Sequence, residues 1–196
     1  MIFDPLPIEG AYVMHIERRE DDRGFFARTF CTDELAALGL DPTIAQISVS
    51  YSHARGTLRG LHLQVAPHEE TKVLRCVRGS VYDVFVDLRP DSPSFLHHVA
   101  VELSADDHTA VYVPRGCAHG FLTLEDDTEV EYLISTPYEP SAGFGLRWDD
   151  PGIGIAWPFE PVVIAERDRS YPQVDLERLR AEGPAALRPR SADATP

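Results

Sequence analysis

Cysteine is scarce in this sequence, and clustered basic charge is missing. Three cysteines, Cys31, Cys76 and Cys117, are spread over 196 residues with no C-x-x-C pair. An odd, widely spaced set excludes a disulfide framework and a zinc ribbon, and leaves buried thiols in a reducing compartment as the expectation. Lys and Arg number 18 against 32 Asp and Glu, a formal net charge of -14. No block of Lys and Arg stands out, so a nucleic-acid partner is not expected. No apolar run approaches the ~18 residues that a membrane helix needs. The opening MIFDPLPIEG lacks the basic-then-apolar pattern of a secretion signal. A cytoplasmic protein with no membrane partner is the resulting expectation. An anionic ligand would need a local cluster of Arg, Lys and His to hold it against the acidic field.

The dominant pattern is alternation with period two between short turn clusters, the signature of strands. Candidate strands are 11–17, 25–30, 44–52, 57–65, 71–77, 80–88, 97–103, 109–113, 118–124 and 128–136. Their even spacing predicts an antiparallel sandwich, jelly roll or barrel. Two short helices are expected. One covers 33–38, capped by Thr32 and stopped by Gly39; the other covers 175–182 and ends at Gly183-Pro184. The segment 140–172 reads as mostly irregular, wrapping one end of the barrel. One domain over 1–183 is expected, followed by a disordered tail over 184–196, rich in Pro, Ala and Ser.

Four segments carry residues suited to chemistry: R-G-L-H-L-Q at 59–64 with Lys72 one strand later, P-R-G-C-A-H-G-F at 114–121, Tyr132 in E-V-E-Y-L at 129–133, and Asp168 in E-R-D-R-S-Y-P at 166–172. Each residue alone has an ordinary structural reading. His62 can be a hydrogen-bonded core histidine, Lys72 a snorkelling surface residue, Tyr132 core, and Asp168 part of a solvated charge cluster. Together they are what proton abstraction beside a carbonyl requires. Regular alternation puts Gly60, His62 and Gln64 on one face and Arg59 on the other. A bulge near Gly60 is what could re-aim Arg59.

The motifs D-R-G-F-F at 22–26, L-R-G-L-H-L-Q at 58–64, G-S-V-Y-D-V-F-V-D-L-R at 79–89 and D-S-P-S-F at 91–95 resemble the dTDP-4-dehydrorhamnose 3,5-epimerase family. So do P-R-G-C-A-H-G-F at 114–121, W-D-D-P at 148–151, I-A-W-P at 155–158 and R-D-R-S-Y-P at 167–172. The resemblance runs in order from about residue 2 to 173. It implies an all-β, cupin-type jelly-roll barrel, a homodimer with shared active sites, and neither metal nor organic cofactor. The implied substrate is a nucleotide-linked 4-keto-6-deoxy sugar of rhamnose-type biosynthesis. Carried over by position, His62 is the implied general base and Asp168 its acidic partner. Lys72 is the cation beside the enolate oxygen, and Tyr132 the general acid on the opposite face of the sugar. Arg59, His119 and Tyr138 are placed near the diphosphate and sugar. Arg23, Phe26 and Gln46 resemble nucleotide-side contacts, some of which a partner subunit supplies in this family.

The sequence departs from the family pattern at Arg28, where an acid is usual, at Ser48, where Asn is usual, and at Glu69-Glu70-Thr71-Lys72, where Gln precedes the lysine. By the resemblance, these changes touch the nucleotide and sugar rims more than His62, Lys72, Tyr132 or Asp168. Two other readings compete. A metal-dependent cupin would use His62, Glu69 and His119, but Gln64 stands where its second histidine belongs, and an amide oxygen is a poor ligand for Fe, Mn or Zn. A non-catalytic sugar-nucleotide-binding cupin would not need base, acid and enolate cation together.

Overall fold

The computed structural model describes residues 1–189. Strands β1 (Ile2–Pro5), β2 (Tyr12–His15), β3 (Arg19–Asp21) and β4 (Gly24–Phe26) lead to helix α1 (Thr32–Ala37). The central run follows: β5 (Gln46–Ser52), β6 (Thr57–Gln64), β7 (Lys72–Arg78), β8 (Ser80–Asp87), β9 (His98–Ser104), β10 (Ala110–Val113), β11 (Cys117–Thr123) and β12 (Thr128–Ile134). Two short strands, β13 (Gly143–Gly145) and β14 (Val163–Ile164), and helices α2 (Glu166–Arg169) and α3 (Leu176–Glu182) complete the chain before a 3-10 turn at Gly183–Leu187.

The strands form two facing sheets. The first has the order β1-β2-β10-β7-β12-β5; the second has the order β13-β6-β11-β8-β9, with β14 added beside β6. Sequence neighbours repeatedly fall in different sheets, which is the jelly-roll arrangement expected of a cupin. β3 and β4 stand apart as a two-stranded ribbon. Alternation explains the layers. Leu74, Val111 and Val130 of the first sheet meet Val81, Phe85 and Phe121 of the second in a buried inter-sheet core. On the outer face of the second sheet, Leu61, Val84 and Val86 are covered by Leu146, Ile153 and Leu179 of the C-terminal third. Leu35 of α1 covers Met14, Val73 and Ala110 on the outer face of the first sheet.

The expected strands all occur, but 25–30 keeps strand geometry only through Phe26. Thr32 is the first helical residue rather than the cap; Cys31 takes the cap position with no side-chain bond. Asp175 caps α3 by accepting from Arg178 N–H. The tail expected to be disordered from 184 is folded at its start. Ala186 and Leu187 pack on the covered face of the second sheet, and Arg188 Nη2 donates to the Ala66 carbonyl at 2.7 Å. Residues 190–196 lie outside the described residues.

Candidate active site

The site is built on an irregularity in β6. His62 pairs with His119 of β11, and Arg59 pairs with Phe121. Between these pairs β11 spends one residue, Gly120, and β6 spends two, Gly60 and Leu61. The extra residue flips the alternation, so Arg59 and His62 point the same way. Both line a cavity of about 620 Å³ that opens between the sheets. Strict alternation, which sends Arg59 to the opposite face, is therefore overturned. Gly60 makes the bulge feasible: its φ is +130°, and a Cβ there would lie 2.5 Å from Gly120 Cα and 2.9 Å from the His119 carbonyl oxygen. No other residue type fits.

Asp168 reaches the same point from α2. Its Oδ1 sits 2.7 Å from His62 Nε2, and its Oδ2 accepts the Gly60 N–H at 3.1 Å. Burial works against its ionisation, but the His62 bond, the Gly60 N–H and the nearby Arg167 charge hold the carboxyl below the usual aspartate range. An ionised carboxylate only accepts. His62 must then carry its proton on Nε2, which leaves Nδ1 with the lone pair. The His62 side chain is 42% exposed and Asp168 5%, so the pair is buried on the carboxylate side and open on the imidazole side.

The opposite wall comes from the first sheet. Lys72 of β7 and Tyr132 of β12 line the cavity. Lys72 Nζ is ion-paired with Glu70, both nearly buried. The other Glu70 oxygen accepts from Gln64 Nε2 at 2.8 Å. Gln64 also receives Glu139 N–H on Oε1 at 2.6 Å, so it braces the wall rather than facing a ligand. Burial pushes the Tyr132 phenol well above the ordinary tyrosine value. His119, also in the cavity, is buried with Nε2 2.6 Å from Asp83 Oδ1. Arg59 is braced by donating to the Tyr51 carbonyl at 2.7 Å and to Ser52 Oγ at 3.2 Å.

Of the ten candidate residues, six converge on this cavity: His62, Asp168, Lys72, Tyr132, Arg59 and His119. Gln46 and Tyr138 line an adjoining cavity of about 290 Å³ that shares His62 and Arg167 with the first. Gln46 Oε1 accepts the Tyr138 N–H at 2.9 Å. Arg23 and Phe26 are elsewhere. They project from the β3–β4 ribbon, Phe26 76% exposed, and the Arg23 guanidinium pairs with Asp21. The metal-cupin set does not assemble: His62 and His119 are each engaged by a carboxylate. Among the described residues no group of three or more His, Cys, Asp or Glu is placed to hold a metal.

The sequence profile of the dTDP-4-dehydrorhamnose 3,5-epimerase family matches residues 5–175. The chain belongs to this family. It is 38% identical over 175 residues to a dTDP-4-dehydrorhamnose 3,5-epimerase of Sinorhizobium fredii, covering 89% of this chain and 90% of that one. It is 39% identical over 179 residues to a dTDP-4-dehydro-6-deoxyglucose 3-epimerase of Streptomyces bikiniensis, again covering 89% and 90%. A crystal structure of the Bacillus anthracis dTDP-4-dehydrorhamnose 3,5-epimerase with TDP and PPi bound superposes with a TM-score of 0.84 at 37% identity, covering 88% of this chain and 99% of that one. As a member of this epimerase family the chain is an isomerase.

Sequence reasoning missed three supporting residues: Asp83, Glu70 and Arg167. Two left a signal. Asp83 shares the inward face of β8 with Val81 and Phe85, where a charge needs a partner. Glu70 lies two residues before Lys72, a spacing that puts two side chains on one face of extended chain. Arg167 is placed by the turn of α2, which no local pattern foretold.

Proposed function

We propose that this chain inverts C3, C5 or both of a dTDP-linked 4-keto-6-deoxy sugar, by proton abstraction and opposite-face reprotonation. The observation that carries the reading is the division of groups between two walls. His62 reaches the cavity from β6 of one sheet, and Lys72 and Tyr132 reach it from β7 and β12 of the other. A C–H beside a ketone is weakly acidic, and its removal leaves charge on the ketone oxygen. His62 Nδ1 takes the proton, and Asp168 stabilises the imidazolium. The Lys72 ammonium offsets the charge that develops on oxygen. Tyr132 returns a proton from across the ring, which turns exchange into inversion. These steps use no metal and no organic cofactor.

Arg59, His119 and Tyr138 are assigned to the sugar and diphosphate, and Gln46 to the nucleotide side. Arg23 and Phe26 are assigned to the site of a second copy, in a homodimer with shared active sites. An exposed phenylalanine and an arginine on a projecting ribbon suit that task. No helix among the described residues is long and apolar enough to cross a membrane, in keeping with a cytoplasmic enzyme of rhamnose-type deoxysugar biosynthesis.

Proton NMR of dTDP-4-keto-6-deoxyglucose in D₂O tests the reading. Exchange at C3 and C5 with product inversion, abolished in His62→Asn, is the expected result. Exchange at C3 alone would narrow the product to that of a 3-epimerase. Binding without exchange at either carbon would leave a sugar-nucleotide-binding protein instead.

A further inference from the structure

One hydroxyl in the cavity has no task in the chemistry above. Ser50 lines the cavity from β5. Its Oγ is buried and meets no partner in full hydrogen-bond geometry among the described residues, yet it lies close enough to Tyr132 to act on the phenol. Buried hydroxyls are normally satisfied, so an orphan in a cavity wall calls for a partner. The register names one. β5 pairs Ser48 with Tyr132 and Ser50 with Val130. Ser50 is thus the diagonal, same-face neighbour of Tyr132, a spacing that a long aromatic side chain spans. The other charged groups facing the phenol are Asp83 of β8, which opposes its ionisation, and Arg59 of β6, which favours it. The His119 ring of β11 stands edge-on, 6.1 Å from the Tyr132 ring. Ser50 is the uncharged donor in this set, and it too favours the phenolate.

We propose that Ser50 is a positioning residue for Tyr132, donating its O–H to the phenol oxygen and holding the phenolate that remains after Tyr132 has given its proton to the sugar. The inference rests on the epimerase reading above. In that step the enolate electron pair forms the new C–H bond with the Tyr132 proton, the ketone reforms, and the phenolate stays until a proton from water restores it. A hydrogen bond to an ionised acceptor is stronger than one to a neutral acceptor. Ser50 therefore acts on reprotonation more than on substrate binding. Loss of its hydroxyl should separate two events that a folding defect would not separate. Proton abstraction by His62 persists, because the half-open imidazole trades its proton with solvent and returns a deuteron to the same face. Inversion, which needs Tyr132, slows.

The experiment follows exchange and inversion together, by NMR of dTDP-4-keto-6-deoxyglucose in D₂O with the full chain, Ser50→Ala and Ser50→Thr. The expected result is exchange in Ser50→Ala close to that of the unmodified chain, a ratio of inversion to exchange lower by about tenfold, and recovery of the ratio in Ser50→Thr. An unchanged ratio in Ser50→Ala overturns the proposal. So does a parallel fall of exchange and inversion, or a Ser50→Thr that exchanges normally but inverts no better than Ser50→Ala. Absence of exchange in the unmodified chain would instead overturn the epimerase reading, and this proposal with it.

Discussion

The Gly60 backbone N–H donates to Asp168 Oδ2 at 3.1 Å, joining positions 108 residues apart. The same residue forms the bulge that turns Arg59 toward His62. One glycine thus orients the arginine through its conformation and the acid through its amide.

Gly60→Ala is expected to fail on both counts. Its Cβ would meet backbone atoms of Gly120 and His119 at 2.5 and 2.9 Å, and backbone cannot rotate away. Strain of this kind costs about 1–3 kcal/mol. A lower midpoint in chemical denaturation should accompany a loss of turnover larger than the fraction unfolded explains.

Asp168→Asn keeps the shape and removes the charge. The amide can present N–H to His62 Nε2 and invert the tautomer, so that Nδ1 no longer carries the lone pair. The expected loss of exchange rate is on the order of 10²–10⁴, with a small change in thermal midpoint at neutral pH. A rate within threefold of the unmodified chain would remove Asp168 from the mechanism.

Lys72→Met should leave substrate binding largely intact and lower exchange by about 10²–10³, the usual cost of one donor aimed at a developing oxyanion. It also leaves Glu70 buried without its cation, so thermal unfolding must be measured beside the rate. Lys72→Met,Glu70→Gln should recover stability and not rate.

Asp87 supplies a pH test away from the site. It is buried and accepts from Arg89 Nε at 2.8 Å, Ser92 Oγ at 2.5 Å and Ser94 Oγ at 2.7 Å. Burial opposes its ionisation, but Arg89 and the two serines outweigh that and hold its pKa below the ordinary 3.8. A depressed folded pKa means that its contribution is complete above the unfolded value and is lost as pH falls through the folded one. Asp87→Asn should therefore cost about 3 kcal/mol at neutral pH. The gap between the two proteins should close below about pH 4, as followed by thermal unfolding across pH.

Much of this architecture is legible in the sequence because strand alternation survives burial on one face. His62, Lys72 and Tyr132 could be placed on strands, and the family motifs brought them together. β13 and β14 escaped because Gly143–Gly145 and Val163–Ile164 are too short to show a period; they exist only by pairing with β6. The facing of Arg59 could not be read, since a bulge is decided by the partner strand. Thr32 was misplaced by one residue as a cap because the chain enters α1 through Cys31, where no side chain serves. The start of the tail is ordered for a tertiary reason. Leu187 and Ala186 find apolar surface that composition alone does not reveal.

The two-for-one count between Arg59 and His62 lets one stretch of β6 face two ways at once, into the cavity through Arg59 and His62 and toward the covered face through Leu61. Removing the codon for Leu61 would leave the charge and the cavity-lining residues unchanged, and Arg59 and His62, then two positions apart, would still share a face. What it would remove is the outward side chain between them, which packs with Leu146 on the covered face of the second sheet, and the two backbone hydrogen bonds that Leu61 exchanges with Leu146. The extra residue is therefore the tie between the cavity wall and the C-terminal third that covers the second sheet, and its loss would be a failure of anchoring rather than of aim.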